Sequence, residues 1–169
     1  MYRPNVGICI INSEGKIFAG KRSEAKVNPD SSVNQSLWQM PQGGVENLDD
    51  DFQLLEGMYK ELWEEVGLYP YNVKVLGSTQ KMKYEFPQYV LDALRNTHYS
   101  NYSGQEQIWF YLQFIGQDSD IKLNNEKDPE FSKWKWVNRN FLLENVVEMK
   151  KNVYNIVLKN DSIPIYPLI

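Results

Sequence analysis

Three glutamates, Glu61, Glu64 and Glu65, lie within five residues in the segment KELWEEVGL. If this segment is helical, residues three and four positions apart share one face, so Glu61 lies beside both Glu64 and Glu65. Carboxylates that close repel one another, and a divalent cation turns the repulsion into coordination because hard cations such as Mg²⁺ prefer carboxylate oxygen. The cluster therefore predicts either a divalent-metal site or a solvated acidic helix face, and the surrounding chain must decide between them.

A helix that would carry these glutamates is predicted to begin within residues 47–51 and to end at Val66. Asn and Asp at its start are good N-caps, and Gly67 directly after it is the residue type that most often ends a helix. Apolar residues recur at the spacing of one helical face, which must pack on the rest of the protein. They are Leu55, Met58, Tyr59, Leu62 and Val66.

Strand patterns lie on both sides of this helix in the sequence. Apolar runs at residues 6–11 and 16–20, separated by the turn residues 12–15, predict a buried β-hairpin. The run IWFYLQFI at residues 108–115 is the strongest strand pattern and predicts a central strand. Two further strands, the second of them at a sheet edge, are predicted at residues 72–80 and 134–137.

The remaining segments complete an α/β pattern. A loop followed by a short helix is predicted within residues 85–95, a second short helix at residues 141–144 and a final amphipathic helix at residues 147–159. Irregular segments are predicted at residues 23–36, 96–106 and 118–128. Pro41 and the pair Gly43-Gly44 are predicted to interrupt any regular element. Because strands and helices are mixed without a regular βαβ alternation, we predict an α/β fold in which helices pack on the faces of a mixed β-sheet.

Length and composition predict one globular domain over residues 1–169. Hydrophobic residues make up 42% of the chain and charged residues 24%, which excludes a wholly disordered protein. The net charge of -4 argues against broad nonspecific binding of nucleic acid, although a local basic groove stays compatible with it.

A cytoplasmic location is expected from three further features. The single cysteine, Cys9, lies in an apolar run and suits a reducing compartment. No apolar stretch approaches the roughly 20 residues that span a bilayer, so no membrane partner is expected. The N-terminus lacks the pattern of a signal peptide. An organellar location would follow if a targeting segment had been trimmed.

The acidic segment, preceded by GG and a variable loop, resembles the Nudix box, whose pattern is GX5EX7REUXEEXGU with U apolar. Four flanking motifs occur in the matching order, namely YRPNVGICIIN, WQMPQGG, GQEQIWFYLQF and DPEFSKWKW. The chain therefore resembles the Nudix hydrolases, and among them the subfamily of bacterial RNA 5′-pyrophosphohydrolases and plant-type asymmetrical diadenosine tetraphosphate hydrolases. The resemblance extends from Tyr2 to about Lys159, with the box at about residues 43–68.

This resemblance implies a Nudix-type α/β/α sandwich and a reaction in which water attacks a phosphorus of a nucleoside polyphosphate with the help of Mg²⁺ or Mn²⁺. It implies metal binding by Glu61, Glu64, Glu65 and Glu130, with Glu64, Glu65 and Glu130 as the catalytic residues. Glu130 would act as an extra ligand or as the base. The implied substrate-binding residues are Arg3, Arg22, Gln39, Gly43, Gly44, Tyr84 and Lys150. For Tyr84, packing in the core and stacking on a base both remain open.

Two departures from the family pattern lie in the box itself. The pattern places its arginine 14 residues after the first glycine, whereas Lys60 lies 17 residues after Gly43. Phe52 therefore stands where the family has its first glutamate, and the replacement candidates are Glu46, Asp50, Asp51 and Glu56. Lys60 keeps the charge of the arginine but cannot hold a carboxylate in a planar two-pronged grip, so reduced activity is expected.

The resemblance is compatible with two classes of substrate, both of which would be hydrolysed by the same reaction. Asymmetrical hydrolysis of diadenosine tetraphosphate and related dinucleoside polyphosphates is preferred, because the chain is acidic and lacks a basic tail. Removal of pyrophosphate from triphosphorylated RNA 5′ ends is the alternative. A nucleotide-binding regulatory module without catalysis is a third hypothesis, supported only by the departures in the box. We expect a monomer.

Overall fold

Two long parallel strands, β1 (Tyr2–Ile11) and β7 (Gly104–Phe114), form the centre of the sheet. The computed structural model describes residues 1–23 and 38–159. The other strands are β2 (Ile17–Arg22), β3 (Trp38–Gln39), β4 (Gln42–Gly44), β5 (Val73–Ser78), β6 (Met82–Glu85) and β8 (Phe131–Val137). The helices are α1 (Asp51–Val66), α2 (Gln88–Leu94), α3 (Arg139–Asn145) and α4 (Lys151–Leu158), and short 3-10 turns occupy Pro70–Asn72, Asp118–Asp120 and Glu148–Lys150.

The eight strands form one mixed sheet. β7 also pairs antiparallel with β5 and with β6, which confirms the predicted central strand. β1 pairs antiparallel with β2 and β4, and β2 in turn pairs with β3 and β8. β8 pairs only with β2 among the described strands, as predicted for an edge strand, although it is longer than the sequence indicates.

Helices cover both faces of the sheet, which confirms the α/β sandwich. On one face α1 packs its apolar residues against alternate residues of β1 and β7, such as Ile8 and Phe110. On the other face α4 packs Tyr154 and Val157 against the opposite set, which includes Trp109. No helix within residues 1–23 and 38–159 combines the length and the apolar character needed to cross a bilayer.

The bounds of α1 follow the predicted signals. Asp50 is the N-cap, and its side chain accepts a hydrogen bond of 3.0 Å from the backbone N–H of Gln53. Gly67 ends the helix in the left-handed conformation, with φ of 78°. One assignment on the apolar face was wrong: Leu55 is 38% exposed, whereas its neighbour Leu54 is 5% exposed and belongs to the core.

Three short strands and one strand start were not predicted. β3 and β4 lie on either side of Pro41, so the expected interruption at Gly43-Gly44 was wrong. Both strands exist because β2 and β1 offer them unpaired backbone groups, which is a non-local effect. β6 pairs with the start of β7, and this pairing also begins β7 at Gly104, inside the segment predicted as irregular. Most of the predicted loop at residues 23–36 lies outside the described residues.

Candidate active site

A cleft of about 620 Å³ opens where β1 and β7 begin, next to the C-terminal half of α1. All the residues that the sequence analysis assigns to the site line this single cleft. They are Arg3, Arg22, Gln39, Gly43, Gly44, Glu61, Glu64, Glu65, Tyr84, Glu130 and Lys150. Their individual roles stay predictions, but the fold brings together side chains from β1, β2, β3, β6, α1 and the segments that precede β8 and α4.

Strand β4 fixes the two glutamates of α1 that face the sheet. The backbone N–H of Gln42 donates a hydrogen bond of 3.2 Å to Oε2 of Glu65. Gly43 lies so close to the carboxylate of Glu61 that a Cβ atom on Gly43 would overlap it. Because β4 is paired along its length with β1, the sheet holds both carboxylates at the cleft.

Burial raises the pKa of both carboxyl groups. For Glu61, which is 9% exposed, loss of solvation and then the charge of Glu64 raise the pKa to about 7. For Glu65, loss of solvation and then the charges of Glu130 and Glu61 raise the pKa well above its usual range. The ionised form of each carboxyl group is therefore disfavoured in the cleft, and additional positive charge there would stabilise it.

The other two predicted ligands are each paired with a cation. Nε of Arg22 donates to Oε1 of Glu130 at 3.3 Å. Nζ of Lys60 lies 3.4 Å from Oε1 of Glu64, one helical turn away, and the Lys60 side chain is 65% exposed. Lys60 thus forms a single ion-pair contact with Glu64, without the planar two-pronged contact that an arginine can make.

The donor set of the cleft fits a divalent cation. The four glutamates that are predicted as ligands offer only oxygen donors. The raised pKa values of Glu61 and Glu65 show that their ionised forms lack positive charge nearby, which a bound cation would supply. Among the described residues no three acidic side chains converge on one point, so a cation shared by three of them requires rotation of a glutamate side chain. Such a cation would neutralise phosphate charge and lower the pKa of a bound water.

Three basic side chains, Arg3, Arg22 and Lys150, line the same cleft as the glutamates. Lys150 is 7% exposed, and its Nζ donates a hydrogen bond of 3.1 Å to Oε1 of Gln39. Burial and then the charge of Arg22 lower the pKa of Lys150 to about 8. A bound anion such as a phosphate would therefore stabilise the protonated form of this amine. With Arg3 at the start of β1, these cations can bind phosphates while a carboxylate accepts the proton of an attacking water.

The floor of the cleft is a network of amides and one phenol. Oε1 of Gln105 accepts hydrogen bonds from the Tyr84 hydroxyl at 2.7 Å and from Nε2 of Gln107 at 3.2 Å. Nε2 of Gln107 also donates to Oδ1 of Asn5 at 2.7 Å. Tyr84 is 6% exposed and packs in the core cluster that contains Trp109, and it also lines the cleft, so its role in substrate binding stays a prediction.

Several cleft residues were missed by the sequence analysis. Gln105 lies in the GQEQIWF motif, which was used only for the family resemblance. Its hydrogen-bond partner Gln107, from the same motif, is buried. Phe86, Tyr99 and Tyr102 form one apolar side of the cleft and carry no local signal of a site. They reach it only because β6 and β7 pair at the base of the intervening segment.

None of the four candidates to replace the first glutamate of the box lines the cleft. Asp50 instead caps α1, and the side chains of Glu46, Asp51 and Glu56 are exposed. Two other acidic residues, Glu126 and Asp128, do line the cleft from the segment before β8. The Glu126 charge contributes to the raised pKa of Glu61, after burial and the Glu64 charge.

Comparison with known proteins agrees with this geometry. The profile of the NUDIX domain matches residues 1–155. The chain is 43% identical over 157 residues to an RNA pyrophosphohydrolase from Hydrogenovibrio crunogenus, covering 91% of this chain and 84% of that protein.

Solved structures of low sequence identity share the fold. The dihydroneopterin triphosphate pyrophosphohydrolase of E. coli matches with a TM-score of 0.64 at 15% identity, covering 95% of this chain and 99% of that one. An Ap4A hydrolase of C. elegans matches with a TM-score of 0.59 at 14% identity, covering 90% of this chain and 93% of that one. Given the domain profile and the close relative, this chain belongs to the NUDIX family and is a hydrolase of pyrophosphate bonds.

Proposed function

We propose that the protein removes pyrophosphate from the triphosphorylated 5′ end of RNA, using Mg²⁺ or Mn²⁺. The observation that carries the proposal is the 43% identity, over most of both chains, to a protein named RNA pyrophosphohydrolase. This finding favours the alternative from the sequence analysis over the dinucleoside polyphosphate that was preferred there. The Ap4A hydrolase is similar at only 14% identity, which supports a common fold and not a common substrate.

The charges of the cleft support a substrate with a short chain of phosphates. Arg22 and Lys150, which line the same cleft as the glutamates of α1, would bind the phosphates. Water attacks a phosphorus of the triphosphate, one phosphoric anhydride bond breaks, and the products are pyrophosphate and an RNA with a 5′-monophosphate. The proton of the water goes to a carboxylate, for which Glu64, Glu65 and Glu130 are the candidates.

The net charge does not oppose an RNA substrate. An enzyme that binds only the 5′ end needs cations at the cleft and not over its whole surface. The net charge of -4 therefore argues against tight binding along the RNA body. It is compatible with binding of the 5′ phosphates by the cations of the cleft. A cytoplasmic location and a monomeric state remain expectations that accompany this proposal.

The test compares two substrates under one set of conditions. Purified protein is incubated with Mg²⁺ or Mn²⁺ and either 5′-triphosphorylated RNA or diadenosine tetraphosphate, and the two values of kcat/KM are compared. Labelling the terminal phosphate shows directly whether pyrophosphate is released. Glu64→Gln is the inactive control, and Glu56→Gln is its matched control, because Glu56 lies on the same helix and outside the cleft.

A higher kcat/KM for the RNA, with release of pyrophosphate, is the expected result. A higher kcat/KM for the dinucleotide would overturn the proposal in favour of the first preference of the sequence analysis. Absence of turnover with both substrates would favour the regulatory module.

A further inference from the structure

The guanidinium of Arg3 is held by contacts from two separate elements. Its Cζ atom lies 4.6 Å from the centre of the Tyr99 ring, which is the geometry of a cation–π contact. A Cβ atom on Gly44 would lie 2.5 Å from Nη2 of Arg3, so β4 leaves just enough space for the guanidinium. The side chain is therefore confined by Tyr99 and by the backbone of Gly44.

The segment that carries Tyr99 is itself anchored. Oγ1 of Thr97 donates to the carbonyl of Leu94 at 2.8 Å, and the backbone N–H of Tyr102 donates to the carbonyl of Tyr99 at 3.1 Å. The backbone N–H of Ser103 then donates to the carbonyl of Met1 at 2.8 Å, two residues before Arg3. The Tyr99 ring also contacts its neighbour His98 at 4.0 Å between ring centres. The backbone on both sides of Tyr99 is therefore held by hydrogen bonds, and its ring packs against His98 as well as Arg3.

The hydrogen-bond donors of Arg3 are left for a ligand. Within residues 1–23 and 38–159 its guanidinium forms no ion pair and no hydrogen bond, although it lines the cleft. An arginine side chain has many rotamers, and prior confinement reduces the conformational entropy that is lost when it binds an anion. Stacking on an aromatic ring confines the side chain without using its donors.

We propose that Tyr99 is a positioning residue that holds the Arg3 guanidinium ready to bind the phosphates of the substrate. Tyr99 acts through Arg3 and need not touch the reacting atoms. The inference rests on the proposed function only in that the substrate brings a chain of phosphates into the cleft. It applies equally to an RNA 5′ end and to a dinucleoside polyphosphate.

A double-mutant cycle tests this coupling. KM and kcat are measured for the wild type, Tyr99→Leu, Arg3→Ala and the double variant, with 5′-triphosphorylated RNA as substrate. Tyr99→Leu is expected to raise KM about 3- to 10-fold while kcat changes by less than about twofold, the scale of a lost cation–π contact. In the Arg3→Ala background the same substitution is expected to raise KM by less than about twofold, because its partner is gone.

Two variants separate positioning from a general structural effect. Tyr99→Phe keeps the ring, so its KM is expected to stay within about twofold of the wild type. Tyr71→Leu removes a tyrosine that is 73% exposed and outside the cleft, and it serves as the matched control. An equal rise of KM for Tyr99→Leu with and without Arg3 would overturn the proposal, as would an unchanged KM in the presence of Arg3.

The same cycle remains informative if the proposed function fails. If the wild type hydrolyses diadenosine tetraphosphate and not RNA, the cycle is measured with that substrate. If neither is hydrolysed, calorimetric binding of inorganic tripolyphosphate replaces KM. In each case coupling between Tyr99 and Arg3 supports the positioning role and independent effects contradict it, whatever the substrate proves to be.

Discussion

Helix α1 presents two sides that differ in burial and in their agreement with the family pattern. On the cleft side, Glu61 and Glu65 are held by β4 and match the box. On the solvent side, Phe52 is 75% exposed and Lys60 is 65% exposed, and both depart from it. The extra residues of the box are predicted around residues 47–53, in the loop or the first turn of the helix, where Asp50 caps α1 and Asp49 pairs with Lys81.

The two sides of α1 have different structural requirements. The cleft side must place carboxylates against β4, where a single Cβ atom on Gly43 would displace Glu61. The solvent side has only to keep the helix folded, which the cap and the core residues accomplish. Changes in the box should therefore have large effects on the cleft side and small effects on the solvent side.

The largest effect is expected from the predicted metal ligands. Glu64→Gln and Glu65→Gln should each reduce kcat by at least about 100-fold while the fold survives, because each removes a charged oxygen donor from the cleft. Turnover is measured with the preferred substrate, and circular dichroism checks the fold. Glu56→Gln, on the solvent side, should retain wild-type turnover. Near-normal rates in both cleft variants would contradict the metal assignment.

The second effect concerns the stability of the metal-free protein. The pKa of Glu61 is raised to about 7, chiefly by burial, so the folded state binds more protons than the unfolded chain above pH 4.5. The free energy of unfolding therefore falls as the pH rises from about 4.5 through 7. Glu61→Gln removes this loss and should raise the free energy of unfolding by about 3 kcal/mol at pH 8, with little change near pH 4.5.

Urea denaturation in the presence of a chelator measures this difference. Glu56→Gln, whose carboxylate is exposed, is the control for substitution on the same helix. An equal difference between Glu61→Gln and wild type at both pH values would show that the buried charge is not its cause. With Mg²⁺ or Mn²⁺ added, the advantage of the variant should shrink because the cation stabilises the ionised carboxylate.

Local signals in the sequence predicted helix α1 and the central strand but not the short strands that position the glutamates of α1. The cap at Asp50, the end at Gly67 and the strong strand near Trp109 are local signals, and the structure confirms them. β3, β4 and β6 are two to four residues long and are formed by pairing with strands far away in the sequence. No local periodicity can predict such strands, yet β4 is what positions Glu61 and Glu65.

The cleft shows the same division between local and non-local information. The acidic, basic and glycine residues of the site could be named because motifs carry them in a fixed order. Tyr99 and the hydrogen bonds between Gln105 and Gln107 could not, because these contacts depend on how β1, β6 and β7 meet. The packed position of Tyr84 likewise became visible only in the fold.

The smallest effect is expected from Lys60, the departure that lies nearest the cleft. Its Nζ makes one contact of 3.4 Å with Glu64 from a mostly exposed position, and such a pair contributes only a few tenths of a kcal/mol. Lys60→Arg should therefore change kcat/KM by less than about threefold, and Lys60→Ala by a similar amount. Parallel assays of both variants measure this. An increase well above tenfold for Lys60→Arg would show that a planar grip on Glu64 limits catalysis, and the solvent side of α1 would then share in the chemistry of the cleft.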